Sequence, residues 1–142
     1  MKNNKNELFF LETLQSTLQI AYQNISNIHW HISGLHFFTI HKQTDKLRAD
    51  ILEFIDMTAE KLVMLHHNAI VDSKKIEQLS RIKEDTSLSF KEDSTQLVVN
   101  YLEEILKLIT SVTFSFSATV QPMIDEIILS LDKWRWQFEK NY

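Results

Sequence analysis

Residues 67–94, HNAIVDSKKIEQLSRIKEDTSLSFKEDS, decide how this chain folds, because they separate two pairs of long apolar repeats. The segment is polar and irregular, and only Ser73 to Ile82 has a pattern that predicts a short helix. It is far longer than the turn that joins two adjacent helices. The helix before it is about 42 Å long at 1.5 Å per residue, a distance that an extended segment of this size spans. The sequence therefore predicts a bundle with one long crossover connection.

Apolar periodicity defines the four long helices on either side of this crossover. Leu11, Leu14, Leu18 and Ala21 begin a run spaced by three and four residues, which is typical of a helix with one buried face. The same spacing recurs in three later segments, and Pro122 suits the first turn of the last one. The four predicted long helices cover about residues 7–32, 37–65, 97–112 and 122–138. The first two are joined through Ser33-Gly34, and glycine readily takes the left-handed conformation that ends a helix.

Composition supports an all-α fold in a single domain. The 142 residues include one glycine and one proline, which leaves few sites for tight turns. A chain of this length forms one domain, residues 1–142, and residues 1–6 are expected to be a short flexible N-terminal tail. No run resembles a signal peptide or a membrane span of about 20 apolar residues. We therefore expect a soluble cytoplasmic protein that does not associate with membranes.

Histidines and carboxylates are the candidate functional groups. Residues 27–41, NIHWHISGLHFFTIH, contain four of the six histidines, and the second helix carries Asp56 and Glu60 on one face. An isolated histidine is more often a surface or core residue, and an isolated pair of acids is more often solvated. The chain has no cysteine, so a metal would be held by imidazole nitrogen and carboxylate oxygen. Together these groups form a ligand set suited to iron or manganese.

One chain cannot bring the two groups together. Asp56 follows His41 by about 22 Å along the axis of one continuous helix, whereas ligand bonds to such metals are about 2 Å long. A site that uses both groups must therefore lie between two chains. The Glu-x-x-His pairs of bundles with a di-iron centre inside one chain do not occur in this sequence.

Three motifs carry a resemblance to a known family. HW at 29–30, GLHFFTIH at 34–41 and DMTAEK at 56–61 resemble, in order and spacing, the Dps proteins, the mini-ferritins of bacteria. The resemblance implies an all-α, ferritin-like four-helix bundle with a long connection between the second and third long helices. It also implies a homo-oligomer, a hollow dodecamer whose ferroxidase centres lie at two-fold interfaces.

The resemblance implies roles for individual residues. His29 and His41 of one subunit, with Asp56 and Glu60 of its neighbour, are the expected iron ligands and catalytic groups. Trp30 is expected beside the centre. His31 and His36 match no ligand position and are assigned to packing or surface roles.

The implied activity is oxidation of Fe(II), preferably by hydrogen peroxide, and storage of ferric mineral inside the shell, which protects against oxidative stress. Some positions depart from the family pattern. Pro122 stands where a pore aspartate is expected, Lys42 and Lys46 flank Asp45 in a region that is normally more acidic, and residues 66–68 replace a Gly-Gly pair.

Two other interpretations stay open. One is a Dps-like shell with impaired mineralisation that acts by metal sequestration or nucleoid association. The other is a helical interaction module whose histidines are incidental. DNA binding is expected to be weak, because the net charge of −4 per chain gives about −48 for twelve chains and only Lys2 and Lys5 form a basic tail.

Overall fold

The computed structural model describes residues 4–140 and consists of five helices. They are α1 (Lys5–His31), α2 (Phe37–Met64), α3 (Ser73–Leu79), α4 (Ser94–Thr110) and α5 (Gln121–Glu139). Within residues 4–140, the only bridge of β type joins Ile32 and Phe90. The predicted all-α bundle, with a short helix inside the long connection, is confirmed.

The first helix begins earlier than the periodicity predicts. The side-chain oxygen of Asn4 accepts hydrogen bonds from the backbone N–H groups of Asn6, at 3.0 Å, and Glu7, at 3.3 Å. This is an N-cap, which satisfies donors that have no partner inside the helix. Residues 1–3 of the predicted tail lie outside the described residues, whereas Lys5 and Asn6 belong to the first turn of α1.

The core lies between all four long helices. α1 packs along α2, α4 packs along α5, and both pairs contact each other. The fully buried side chains are mostly leucine and isoleucine, and they lie on the faces that the three- and four-residue spacing predicts. They include Leu11, Leu14, Leu18, Ile25, Ile28, Leu47, Ile51, Leu62, Leu102, Ile105 and Ile124.

The crossover is held against α1 by polar side chains. The amide of Gln15 donates to the carbonyl of Ile70 at 2.8 Å and accepts from the N–H of the same residue at 3.0 Å. Asn24 likewise donates to the carbonyl of Lys83 at 2.8 Å and accepts from the N–H of Asp85 at 2.9 Å. These amides satisfy backbone groups of a segment that has little secondary structure. They explain why α1 buries polar residues on the face away from the apolar core.

A short turn brings the end of α1 next to the start of α2. α1 ends at His31, and Gly34 has a φ of 110°, a conformation that favours glycine. The N–H of Phe37 donates to the carbonyl of Gly34 at 3.2 Å as α2 begins. The N–H of Ser33 donates to the carbonyl of Phe90 at 3.1 Å, so the end of the crossover supports the same turn.

The other end of α2 is closed by a backbone motif. The N–H of His66 donates to the carbonyl of Val63 at 3.0 Å, and that of His67 to the carbonyl of Leu62 at 2.9 Å. This pattern is a Schellman motif, and His66 occupies its left-handed position with a φ of 61°.

Among the described residues, no helix is both long and apolar enough to cross a membrane.

Candidate metal centre

The turn between α1 and α2 places two imidazoles face to face. His29 lies in the last turn of α1 and His41 in the second turn of α2. Their ring centroids are 3.9 Å apart, and the ring planes are inclined by 11°. Phe37 stacks on the other face of His41 with a centroid distance of 5.0 Å. The two predicted histidines are therefore adjacent within one chain.

Each imidazole is fixed by the backbone of the other residue. Nδ1 of His29 lies 2.7 Å from the carbonyl oxygen of His41, and Nδ1 of His41 lies 2.8 Å from the carbonyl oxygen of His29. A carbonyl oxygen only accepts, so both Nδ1 atoms carry a hydrogen and donate it. In the neutral rings, Nε2 then has a free lone pair, which is the form that binds a metal.

Burial keeps His29 in this neutral form. The residue is 6% exposed, and burial lowers the pKa of its imidazole. The hydrogen bond to the His41 carbonyl raises the pKa and only partly offsets this effect, while the nearby charge of Arg48 lowers it further. At neutral pH, Nε2 of His29 therefore carries no proton that a metal ion must displace.

Asp45 is a candidate ligand that the sequence analysis did not select. Its Oδ1 lies 3.9 Å from Nε2 of His29, on the side where the free lone pair is found. Asp45 follows His41 by four residues, so both lie on the same face of α2. That spacing is the signal in the sequence, but an Asp one turn from a histidine is too common to identify a ligand alone.

Trp30 and Arg48 border the pair. Trp30 is 63% exposed in the single chain, and Cζ of Arg48 lies 5.9 Å from the centroid of its ring. The Arg48 guanidinium also contacts Asp45, with Nη2 at 3.0 Å from Oδ1. Arg48 thus pairs with both an acid and an aromatic ring near His29.

His31 and His36 lie away from this arrangement. His31 is exposed, and its Nδ1 donates to the side-chain oxygen of Asn27 at 2.7 Å. His36 is exposed and precedes the first residue of α2. These positions agree with the surface roles expected for both residues.

The structure does not bring the two predicted carboxylates to the histidines within one chain. Asp56 and Glu60 lie one turn apart on α2, and both are exposed. A hydrogen bond to Asp56, together with the negative charge of Asp56, raises the pKa of Glu60. Two close carboxylates with this mutual repulsion favour a shared cation. Within residues 4–140, no three His, Asp or Glu side chains are grouped so as to hold a metal ion.

One chain therefore presents two separate groups of candidate ligands. The first group consists of two imidazoles with free Nε2 atoms, next to Asp45. The second group consists of two exposed acids about 22 Å further along α2. The chain does not place this acid pair against its own imidazoles.

Comparisons with known proteins agree with this fold. The model of the ferritin-like domain matches residues 10–140. The DNA protection during starvation protein of Helicobacter pylori is 32% identical over 80 residues, which cover 56% of this chain and 56% of that protein. The alignment thus spans only about half the length of that relative.

Two further proteins are similar over most of the chain. The DNA protection during starvation protein of Brevibacillus brevis is 26% identical over 124 residues, which cover 84% of this chain and 83% of that protein. The crystal structure of a Dps protein from Bacillus brevis superposes with a TM-score of 0.85 and 23% identity, covering 98% of this chain and 97% of that one. At this identity the structural likeness shows the fold, which is ferritin-like.

Proposed function

Because the chain belongs to the ferritin-like family, and its Dps-named relatives support membership of the Dps group, we propose that it is a ferroxidase and iron-storage protein. Its substrates are Fe(II) and, as the preferred oxidant, hydrogen peroxide. Its product is ferric mineral held inside a hollow homo-oligomer, a dodecamer. The activity protects the cytoplasm against oxidative stress.

The observation that carries this proposal is the reciprocal bonding of the two imidazoles. Because each Nδ1 is bound to a backbone carbonyl, Nε2 is the ring nitrogen left to bind a metal in both histidines, and the two rings are stacked with centroids 3.9 Å apart. A histidine pair with only a packing role would also satisfy its Nδ1 atoms, but it would gain nothing from leaving both Nε2 atoms without a hydrogen bond. Imidazole nitrogen and carboxylate oxygen are ligands that suit Fe(II).

The carboxylate half of the site comes from a neighbouring subunit in this proposal. Asp56 and Glu60 of that subunit face His29 and His41 across a two-fold interface. Their negative charges stabilise Fe(III) more than Fe(II), so oxidation is favoured where they bind. Exposure of both acids in the single chain supports this role, because an interface can reach them.

The oxidation consumes peroxide without releasing radicals. Two Fe(II) ions each give one electron to one H2O2, which takes up two protons and forms two water molecules. The two Fe(III) ions then hydrolyse and enter the mineral. Paired transfer requires both irons to be held close together, and this is the reason for a site with several ligands.

Substitution of each half of the site tests the proposal. His41→Ala and Asp56→Ala are expected to abolish rapid oxidation when peroxide is added to protein loaded anaerobically with Fe(II). His36→Ala is the matched control, because His36 is exposed and lies away from the pair, and it is expected to keep the rate of the parent. Equal rates in the parent and both site variants would contradict the proposal.

Mixing the two inactive variants tests whether the site is shared. In a mixed dimer, the chain with Asp56→Ala supplies its histidines and the chain with His41→Ala supplies its acids, so one of the two interface sites is complete. Co-assembly is therefore expected to restore part of the oxidation rate, whereas mixing without subunit exchange is not. Co-assembled variants that stay inactive would contradict a site shared between two chains.

A second function is favoured by the charges next to the pair. Lys42 and Lys46 are exposed on either side of Asp45, and they reduce the negative charge available to nucleate mineral. A shell that sequesters iron with poor mineralisation, or that associates with the nucleoid, would keep oxidation and lose mineral growth. DNA binding by such a shell would be weak, since each chain has a net charge of −4 and Lys5 belongs to α1. Measuring iron retained per shell after many additions separates the two functions.

A further inference from the structure

Arg48 is held in place by two helices beside the candidate centre. Its Nε donates to Oδ1 of Asp45 at 3.1 Å, and its Nη2 lies 3.0 Å from the same oxygen. On the other side, Nη1 donates to Oγ of Ser26 on α1 at 3.4 Å. The side chain is 21% exposed. Contacts on both sides therefore hold the guanidinium in one position.

The fixed guanidinium lies over the indole of Trp30. Its Cζ is 5.9 Å from the ring centroid, within the range of a cation–π interaction. The attraction is between a positive charge and a neutral ring. Loss of one electron would make the indole itself positive, and the same guanidinium would then repel it. Arg48 therefore opposes one-electron oxidation of Trp30, and the negative charge of Asp45, which pairs with the guanidinium, offsets only part of this effect because the guanidinium is the group over the ring.

The effect of Arg48 on Trp30 matters because reduction of one peroxide molecule to water takes two electrons. When both come from Fe(II), the products are two Fe(III) and water. When only one Fe(II) is bound, a neighbouring group can supply the second electron. For Trp30, one Fe(II), one neutral indole, one H2O2 and two protons give one Fe(III), one indole radical cation and two water molecules. Trp30 adjoins His29 in sequence and is exposed, so it is the indole best placed for this reaction.

Building on the ferroxidase function proposed above, we propose that Arg48 is a positioning residue that suppresses oxidation of Trp30. Asp45 and Ser26 hold its guanidinium over the indole, and the charge makes the ring a poorer electron donor. Electrons for peroxide then come from iron, and the protein is spared damage when the centre is only partly filled.

The other tryptophans provide internal references. The indole N–H of Trp134 donates to a carboxylate oxygen of Asp50 at 2.7 Å, a partner whose negative charge favours an oxidised ring. Trp136 is 51% exposed. Both lie on α5, so a change at Arg48 is expected to alter neither ring.

Trp30 oxidation in an Arg48→Gln variant tests the proposal. Assembled protein receives at most one Fe(II) per site and then peroxide, and oxidised tryptophan in each peptide is quantified by mass spectrometry. We expect oxidation of Trp30 per peroxide consumed to rise about two- to fivefold, as loss of a cation–π contact of ordinary strength predicts. Oxidation of Trp134 and Trp136 is expected to stay unchanged.

Two further variants separate charge from packing. Arg48→Lys keeps a positive charge and is expected to keep Trp30 oxidation close to that of the parent. If Arg48 had a purely structural role, Arg48→Lys and Arg48→Gln would both raise Trp30 oxidation. Arg135→Gln is the matched control, because Arg135 makes the same bridge to Asp132, three residues earlier, at 3.1 Å on α5. Arg48→Met is the replacement if Arg48→Gln does not assemble.

An experiment without iron distinguishes failure of the Arg48 proposal from failure of the proposed ferroxidase function. The azidyl radical, a one-electron oxidant, is generated in the presence of metal-free protein, and Trp30 oxidation is compared in the parent and Arg48→Gln. Faster oxidation in the variant supports the proposal, and equal oxidation in both arms overturns it. If the parent oxidises Fe(II) no faster than His41→Ala, the ferroxidase function fails, and the iron-free arm alone decides the role of Arg48.

Discussion

The backbone carbonyls of His29 and His41 shape the candidate centre as much as their imidazoles do. The motif in the sequence identifies both histidines, but it does not indicate that each Nδ1 binds the carbonyl of the other residue. This arrangement depends on the path of the turn between α1 and α2, which residue types alone do not determine. Asp45 was missed for a similar reason, since its position beside His29 depends on how the two helices meet.

The lowered pKa of His29 predicts how stability depends on pH. In the unfolded chain this imidazole takes up a proton near pH 6.5, whereas in the folded protein burial lowers its pKa, so that protonation requires a lower pH. The unfolded state therefore binds more protons over this interval, so stability falls as the pH drops from 6.5 through the lowered pKa. Thermal unfolding of metal-free protein between pH 7.5 and 5 measures this decrease.

His29→Gln should weaken that dependence, because the titrating group is gone. The matched control is His31→Gln, which removes an exposed imidazole and is expected to keep the slope of the parent. A parent and a His29→Gln variant with the same loss of stability on acidification would contradict the assignment.

The long helices were the most predictable elements, because a buried face repeats over many residues. Their ends were less predictable, since a cap depends on one or two side chains. The start of α1 at Lys5 follows from the side chain of Asn4, and apolar spacing does not record it. The crossover was predicted as a long connection with a short helix, but its path depends on specific partners such as Gln15 and Asn24.

The end of α2 offers a test of backbone conformation. His66 has a φ of 61°, which a residue with a Cβ adopts at a cost and glycine adopts freely. His66→Gly is expected to raise the free energy of unfolding by about 1 kcal/mol. His66→Ala keeps the Cβ and is expected to give no gain. Urea unfolding compares the two variants, and equal stabilities would show that the left-handed position is not strained.

Neither the sequence nor the structure of a single chain determines how the subunits assemble. Distance along α2 predicts that a site with both the histidines and the acids is shared between two copies, and one chain keeps the two groups apart. Which surfaces meet is a property of shape and charge over whole helices. The ferritin-like fold and the exposure of Asp56 and Glu60 support a two-fold interface, and this interface is the central claim of the account.

A crystal soaked anaerobically with Fe(II), with anomalous scattering recorded at the iron edge, tests this claim most directly. We predict iron between Nε2 of His29 and His41 of one subunit and the carboxylates of Asp56 and Glu60 of another, with ligand distances of about 2 Å. Iron held by the side chains of one chain alone, or acids of every neighbour far from those imidazoles, would contradict it.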